Sequence, residues 1–149
     1  MTRGHILDQH EVGAAVVACI DFRFRENLAS AIHTTFGIDD YDEIKLAGGA
    51  KNFSRPGRPG RHETALHDLE LAIAAHHAHT VILLTHQNCG KYASEGHSFT
   101  DVDEEKKFHT AELLTAGEIV RTQFPNITVL LGYTYVNDSN VVQIERIPF

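Results

Sequence analysis

Cysteine is nearly missing from this 149-residue chain, which has two. That excludes the disulfide framework of a small secreted domain. The opening stretch MTRGHILDQHEVG also lacks the apolar core of a secretory signal, so a cytoplasmic location is expected and the thiols are expected to be reduced, buried or metal-bound. Long apolar runs are missing as well. None approaches the ~20 residues that a membrane-spanning helix needs, so no membrane association is expected. Positive charge is scarce and scattered, with 13 Lys and Arg against 20 Asp and Glu for a net charge of −7, which removes the basic face of a nucleic-acid binder.

What is there is ordinary globular composition, 42% hydrophobic and 22% charged, and residues 1–149 are expected to form a single domain. Eleven histidines are many, but the count alone decides nothing. Strand and helix patterns alternate along the chain. GAAVVACI is a short β-branched run of the kind buried on both faces. RENLASAIHTTFG places Leu28, Ile32 and Phe36 four apart and stops at Gly37, a helix with a glycine end. YDEIKLAGGA reads as a second strand dissolving into a glycine pair. KNFSRPGRPGRHE, broken twice by Pro-Gly, reads as an exposed and mobile loop. HETALHDLELAIAAHHAH is a helix with Leu66, Leu69 and Ile73 in phase, and TVILLTH a third buried strand.

TDVDEEKKFHTAELLTAGEIVRTQF predicts the longest helix, with Thr100 and Asp103 in capping-box spacing, a solvated acidic start and an end before Pro125. ITVLLGYTYV and VVQIERI, joined by NDSN, close the chain as a hairpin. The expected fold class is α/β: a mostly parallel central sheet flanked by helices, with a C-terminal antiparallel strand.

The stretch LLTHQNCGKY runs an apolar strand into a histidine and then a cysteine. In parallel sheets functional groups collect beyond the carboxyl ends of strands. Cys19 closes the first strand and His86 the third, so if those strands are neighbours, Cys19, His86 and Cys89 converge. Two thiolates and an imidazole form the soft set that zinc favours, with a fourth position open. A Cys19–Cys89 disulfide is the rival, but it leaves His86 and Asp21 without a role. In CIDFR, Asp21 and Arg23 share a side while the chain stays extended and can pair bidentately. LAGGA lacks the spacing of a phosphate loop and reads as a turn that brings backbone close to the pocket. His76, His77 and His79 sit at a helix end, where the macrodipole accounts for them as well as an adventitious metal does.

In this order, ACIDFR, LAGGAKNF and THQNCGKY resemble the β-class carbonic anhydrases, over most of residues 14 to 92. The resemblance implies that Cys19, His86 and Cys89 ligate Zn2+, that Asp21 and Arg23 form the dyad governing the fourth position, and that Gly48 and Gly90 border the substrate. It also implies a homodimer or a multiple of dimers. The expected activity is reversible hydration of carbon dioxide, a small-molecule substrate, by zinc-bound hydroxide, with His62, His67, His97 or His109 as proton shuttle. Alternatives from the same resemblance are hydrolysis of carbonyl sulfide or carbon disulfide, which the apolar Leu46 would suit, and a non-catalytic zinc protein. Departures from the family pattern are Lys45-Leu46-Ala47-Gly48 after the second strand, Thr85 before the histidine, and the short stretch preceding Cys19.

Overall fold

The computed structural model describes residues 4–149. Five strands form one sheet: β1 (Ala14–Ala18), β2 (Tyr41–Lys45), β3 (Thr80–His86), β4 (Thr128–Val136) and β5 (Val142–Ile147). Their spatial order is β2-β1-β3-β4-β5. The first four run parallel, and β5 returns antiparallel to β4, as the α/β expectation required. β1 is buried at every position because both of its faces are covered. Ala15 and Val17 join one apolar cluster, and Ala14, Val16 and Ala18 the other. β3 divides the same way, with Val81 and Leu83 on one side and Ile82 and Leu84 on the other. That two-sided burial is what a continuous apolar run signals in a parallel sheet.

Helix α2 (Leu28–Phe36) follows the short turn α1 (Phe22–Arg25) and covers one face through Leu28, Ala31 and Ile32. Gly37 ends α2 in the left-handed region at φ 70° and donates its N–H to the His33 carbonyl, a C-terminal stop that glycine accepts without strain. The other face is covered by α3 (Lys51–Ser54), α4 (Arg61–His76) and α6 (Val102–Gln123), with Phe53, Leu69 and Leu113 in its core. The short α5 (Gly90–Ser94) caps the end of β3. Among the described residues, no helix is long and apolar enough to cross a membrane.

Three local expectations change. The segment after the glycine pair is not a free loop: Lys51, Asn52 and Phe53 are buried in α3, because Phe53 has an apolar cluster to enter and Asn52 donates to the Ala47 and Gly49 carbonyls. The N-cap of α6 is Asp101, which accepts from the Glu104 N–H, while Thr100 donates to the Glu104 carboxylate. The capping box therefore lies one residue later than Thr100–Asp103. The acidic start of α6 is also only partly solvated, since Glu105 turns inward and is 9% exposed.

Candidate metal centre

The sheet changes direction of growth at β1. From it the chain steps to β2 on one side and returns through α4 to β3 on the other, which opens a crevice beyond the carboxyl ends of β1 and β3. Cys19 leaves β1 there, His86 is the last residue of β3, and Cys89 caps α5 three residues on. The two sulfurs and one imidazole nitrogen lie within 4.8 Å of one another.

His86 is 4% exposed. Its Nδ1 lies 2.7 Å from the Gln87 carbonyl oxygen, a bond that places the proton on Nδ1 and leaves Nε2 as the free donor. Nε2 is buried and has no hydrogen-bond partner among the described residues. An orphaned imidazole nitrogen costs free energy unless something takes its lone pair, so this donor set fits a metal ion. The Gly48 N–H donates to Cys19 Sγ at 3.2 Å, and the Cys19 thiol is drawn well below its ordinary range by hydrogen bonding from Cys89, with help from His86 and Gly48 against the effect of burial. Cys89 is pushed up by the neighbouring Cys19 thiolate and by burial. The pocket thus stabilises one thiolate before any cation arrives; a bound cation would favour deprotonation of both.

The backbone that allows this approach is the turn Leu46–Ala50, where Gly48 (φ 87°) and Gly49 (φ 56°) adopt left-handed conformations. A Cβ on Gly49 would run into the Leu84 carbonyl oxygen and crowd the Cys19 backbone nitrogen. LAGGA is therefore a close-approach turn, as its sequence indicates.

Asp21 and Arg23 do pair, but not on an extended chain. Asp21 caps α1, accepting the Arg23 backbone N–H at 3.0 Å, and the helical turn brings the guanidinium back over the carboxylate. Arg23 Nε donates to Oδ1 at 3.0 Å and Nη2 to Oδ2 at 2.6 Å. That pairing, chiefly the Arg23 side-chain bonds, holds the Asp21 carboxyl down at about 2. Asp21 Oδ2 stands 3.6 Å from His86 Nε2, so the carboxylate borders the donor set while its oxygens are engaged by Arg23.

Two residues that the sequence did not single out complete the arrangement. Asn88 accepts from Arg23 through its side-chain oxygen at 3.0 Å and its carbonyl at 2.8 Å, and its φ is 59°. An asparagine between His and Cys is a faint signal of this, because Asn tolerates the left-handed region better than most residues. The Asn88 N–H donates to Glu105 at 2.8 Å, and nothing local to Glu105 announces it.

A depression of about 600 Å³ lies in front of Asp21, lined by Cys19, Ile20, Phe22, Arg23, Ala47 and Gly90 among others. Leu46 is turned away from it and packs against the apolar cluster that contains Phe53 and Leu69, so it does not line the pocket as a substrate contact. Of the histidines considered for proton transfer, His109 is fully buried with neither ring nitrogen partnered among the described residues, while His62, His67 and His97 reach the surface at least in part. His76 pairs with Asp42 at 2.8 Å, and His77 is the left-handed cap of α4.

A family model described as "Putative carbonic anhydrase" matches residues 9–146. The chain belongs to this family. Its curated relatives include an uncharacterized protein of Rickettsia bellii, 22% identical over 91% of this chain and 82% of that one. Another, from Rickettsia conorii, is 24% identical over 97% of this chain and 78% of its own length. Among solved structures, the β-carbonic anhydrase isoform I of Trichomonas vaginalis superposes with a TM-score of 0.61 at 16% identity, covering 100% of this chain and 89% of that one. Tetrameric β-carbonic anhydrases of Sordaria macrospora give 0.60 at 11% identity over 96% and 84%. A carbon disulfide hydrolase gives 0.53 at 18% over 90% and 78%. At these identities the likeness establishes a β-carbonic-anhydrase-like fold, and the chain is a divergent member of that group.

Proposed function

We propose that this carbonic anhydrase family member is a zinc enzyme that interconverts carbon dioxide and water with bicarbonate and a proton. The observation that carries the reading is the Cys19, His86 and Cys89 donor set, with its orphaned Nε2, beside an Asp21 carboxylate engaged by Arg23. Cys19, His86 and Cys89 would hold the ion, which supplies Lewis acidity that brings the pKa of a bound water down to roughly 7, less strongly where two thiolates offset its charge. Asp21, ionised and an acceptor only, takes a hydrogen bond from the attacking water and turns its lone pair outward toward the depression. Arg23 keeps that carboxylate from closing onto the donor set. The Gly48 N–H steadies the Cys19 sulfur, and Gly90 borders the mouth where substrate enters.

The apolar side chains at that mouth, Ile20 and Phe22, are 63% and 79% exposed. They support a homodimer, or a multiple of dimers, in which a second copy covers the rim. They also suit a second reading, carbon disulfide or carbonyl sulfide hydrolysis, which the similarity to a carbon disulfide hydrolase favours. Stopped-flow hydration of carbon dioxide on zinc-loaded protein, at about pH 7 and about pH 8.5, tests the first reading, with sulfide release assayed alongside. Activity is expected to rise with pH, and Asp21→Asn is expected to lose about tenfold to a hundredfold while keeping its zinc. Cys89→Ser is expected to lose zinc as well. Sulfide release without hydration moves the conclusion to the second reading, and bound zinc with neither activity makes the protein a non-catalytic zinc binder.

A further inference from the structure

We infer that Glu105, on α6, is a positioning residue for the Asp21–Arg23 pair and acts through the Asn88 peptide; this rests on the carbonic anhydrase reading above. Arg23 is half-exposed, with its side chain 47% accessible. A long arginine at that exposure loses considerable entropy when fixed in one geometry, and a surface ion pair alone does little to hold it. Here it is held from behind. Nη1 and Nη2 of Arg23 donate to Oδ1 and the carbonyl oxygen of Asn88, which leaves Nε and the other edge of Nη2 for Asp21.

That clamp works only while Asn88 keeps its left-handed φ of 59°, a conformation that non-glycine residues adopt at a cost. Bonds to β4 and to α6 pin the loop that holds it. The Gln87 N–H donates to the Thr134 carbonyl at 2.8 Å, and the Asn88 N–H donates to Glu105 Oε2 at 2.8 Å. Glu105 is well placed for this task. Its side chain is only 11% exposed, it projects from the first turns of a 22-residue helix docked on the sheet, and a charged acceptor makes a stronger bond to a backbone N–H than a neutral one. The connection runs from Glu105 to the Asn88 peptide, from Asn88 to the Arg23 guanidinium, and from Arg23 to the Asp21 carboxylate. None of these residues is one of the three donors.

The test compares Glu105→Gln, which keeps an acceptor oxygen in place, with Glu105→Met, which keeps the shape and removes the acceptor, and Glu105→Asp, which keeps the charge but withdraws it. Each is prepared with zinc, and its zinc content is measured. Two readouts are followed: kcat for carbon dioxide hydration, and the Nε–H resonance of Arg23 in nitrogen-labelled protein, which the bond to Asp21 protects from exchange. Met and Asp are expected to lower kcat about tenfold or more and to lose the protected Arg23 signal at unchanged zinc content, while Gln stays within about twofold on kcat and keeps the signal. Retention of the Arg23 signal in both Met and Asp overturns the inference, and so does its loss in Gln. If Met fails to fold, the contrast between Asp and Gln decides alone. If the unaltered protein hydrates no carbon dioxide, the functional reading fails, and the Arg23 signal still decides the role of Glu105.

Discussion

His109 shows how much a single residue can be set by its surroundings. It is completely buried between the rings of Tyr92, Phe108 and Tyr133, with Nε2 4.0 Å from Glu105 and neither nitrogen hydrogen-bonded among the described residues. Burial, more than the nearby His86 and His97, pushes its pKa down from 6.5 to about 4. The folded state therefore disfavours the protonated ring. Between about pH 6.5 and pH 4 the unfolded chain binds the extra proton, so stability is full above pH 6.5 and falls as the solution is acidified through that window. A shift of this size corresponds to about 3 kcal/mol across the window. Urea unfolding of His109→Phe is expected to show a flatter dependence on pH between those limits than the unaltered protein. Stability at neutral pH should be equal or higher, because two unpaired polar atoms are gone. The same burial argues against His109 carrying protons to solvent; for the proposed reaction the candidates are then His97 and His62, half-exposed, and His67, at the surface.

At the scale of elements, the candidate metal centre stands on two short helices that would not persist alone, since a nucleus of one turn is unfavourable without tertiary support. α3 is four residues long and α5 five. A buried cation joins them. Lys51, 1% exposed, pairs with Glu95 at the end of α5, donates to the Arg55 carbonyl and lies 5.4 Å from the centre of the Tyr92 ring. Tyr92 in turn donates to Glu112 of α6, which also receives Arg55. Lys51 holds the Glu95 carboxyl below its ordinary range. The contribution of the pair is therefore complete above the usual carboxylate pKa and is lost as pH falls through the lower, folded-state value.

Lys51→Met is expected to cost about 1–2 kcal/mol at neutral pH, moderated because Glu95 can still reach water. That deficit should shrink toward about pH 3, as followed by chemical denaturation at both pH values. A sequence reader meets Lys51 as the first residue of a Pro-Gly loop and has no reason to bury it, since a lysine is rarely internal unless paired. Its partner Glu95 lies beyond α4 and β3.

For the molecule as a whole, assembly turns on the rim of the depression. Phe22 and Ile20 flank Asp21 with their side chains largely exposed, and stable homodimers commonly bury such apolar groups over an interface of about 1,600 Å² or more. Phe22→Asp is expected to shift the protein toward monomer in sedimentation velocity runs. A protein that sediments as a monomer before the change would remove the case for a partner at this face.

Patterns confined to neighbouring residues determined a great deal. Runs such as AAVVA and TVILLTH are apolar without alternation because both faces of a parallel strand are covered. Gly37 and the Gly48-Gly49 pair mark backbone that other residues adopt poorly. The His-x-x-Cys spacing with a second cysteine at an earlier strand end names a soft donor set by itself. What only the tertiary structure decided depends on contacts between distant parts of the chain. The bond from Arg23 to Asn88 spans 65 positions and that from Asn88 to Glu105 spans 17. The enclosure of His109 and Lys51 likewise depends on which helix covers which face of the sheet. A residue's own sequence neighbourhood fixes its backbone preferences and its chemistry, whereas burial and hydrogen-bond partners are properties of packing, and packing is settled by the whole chain at once.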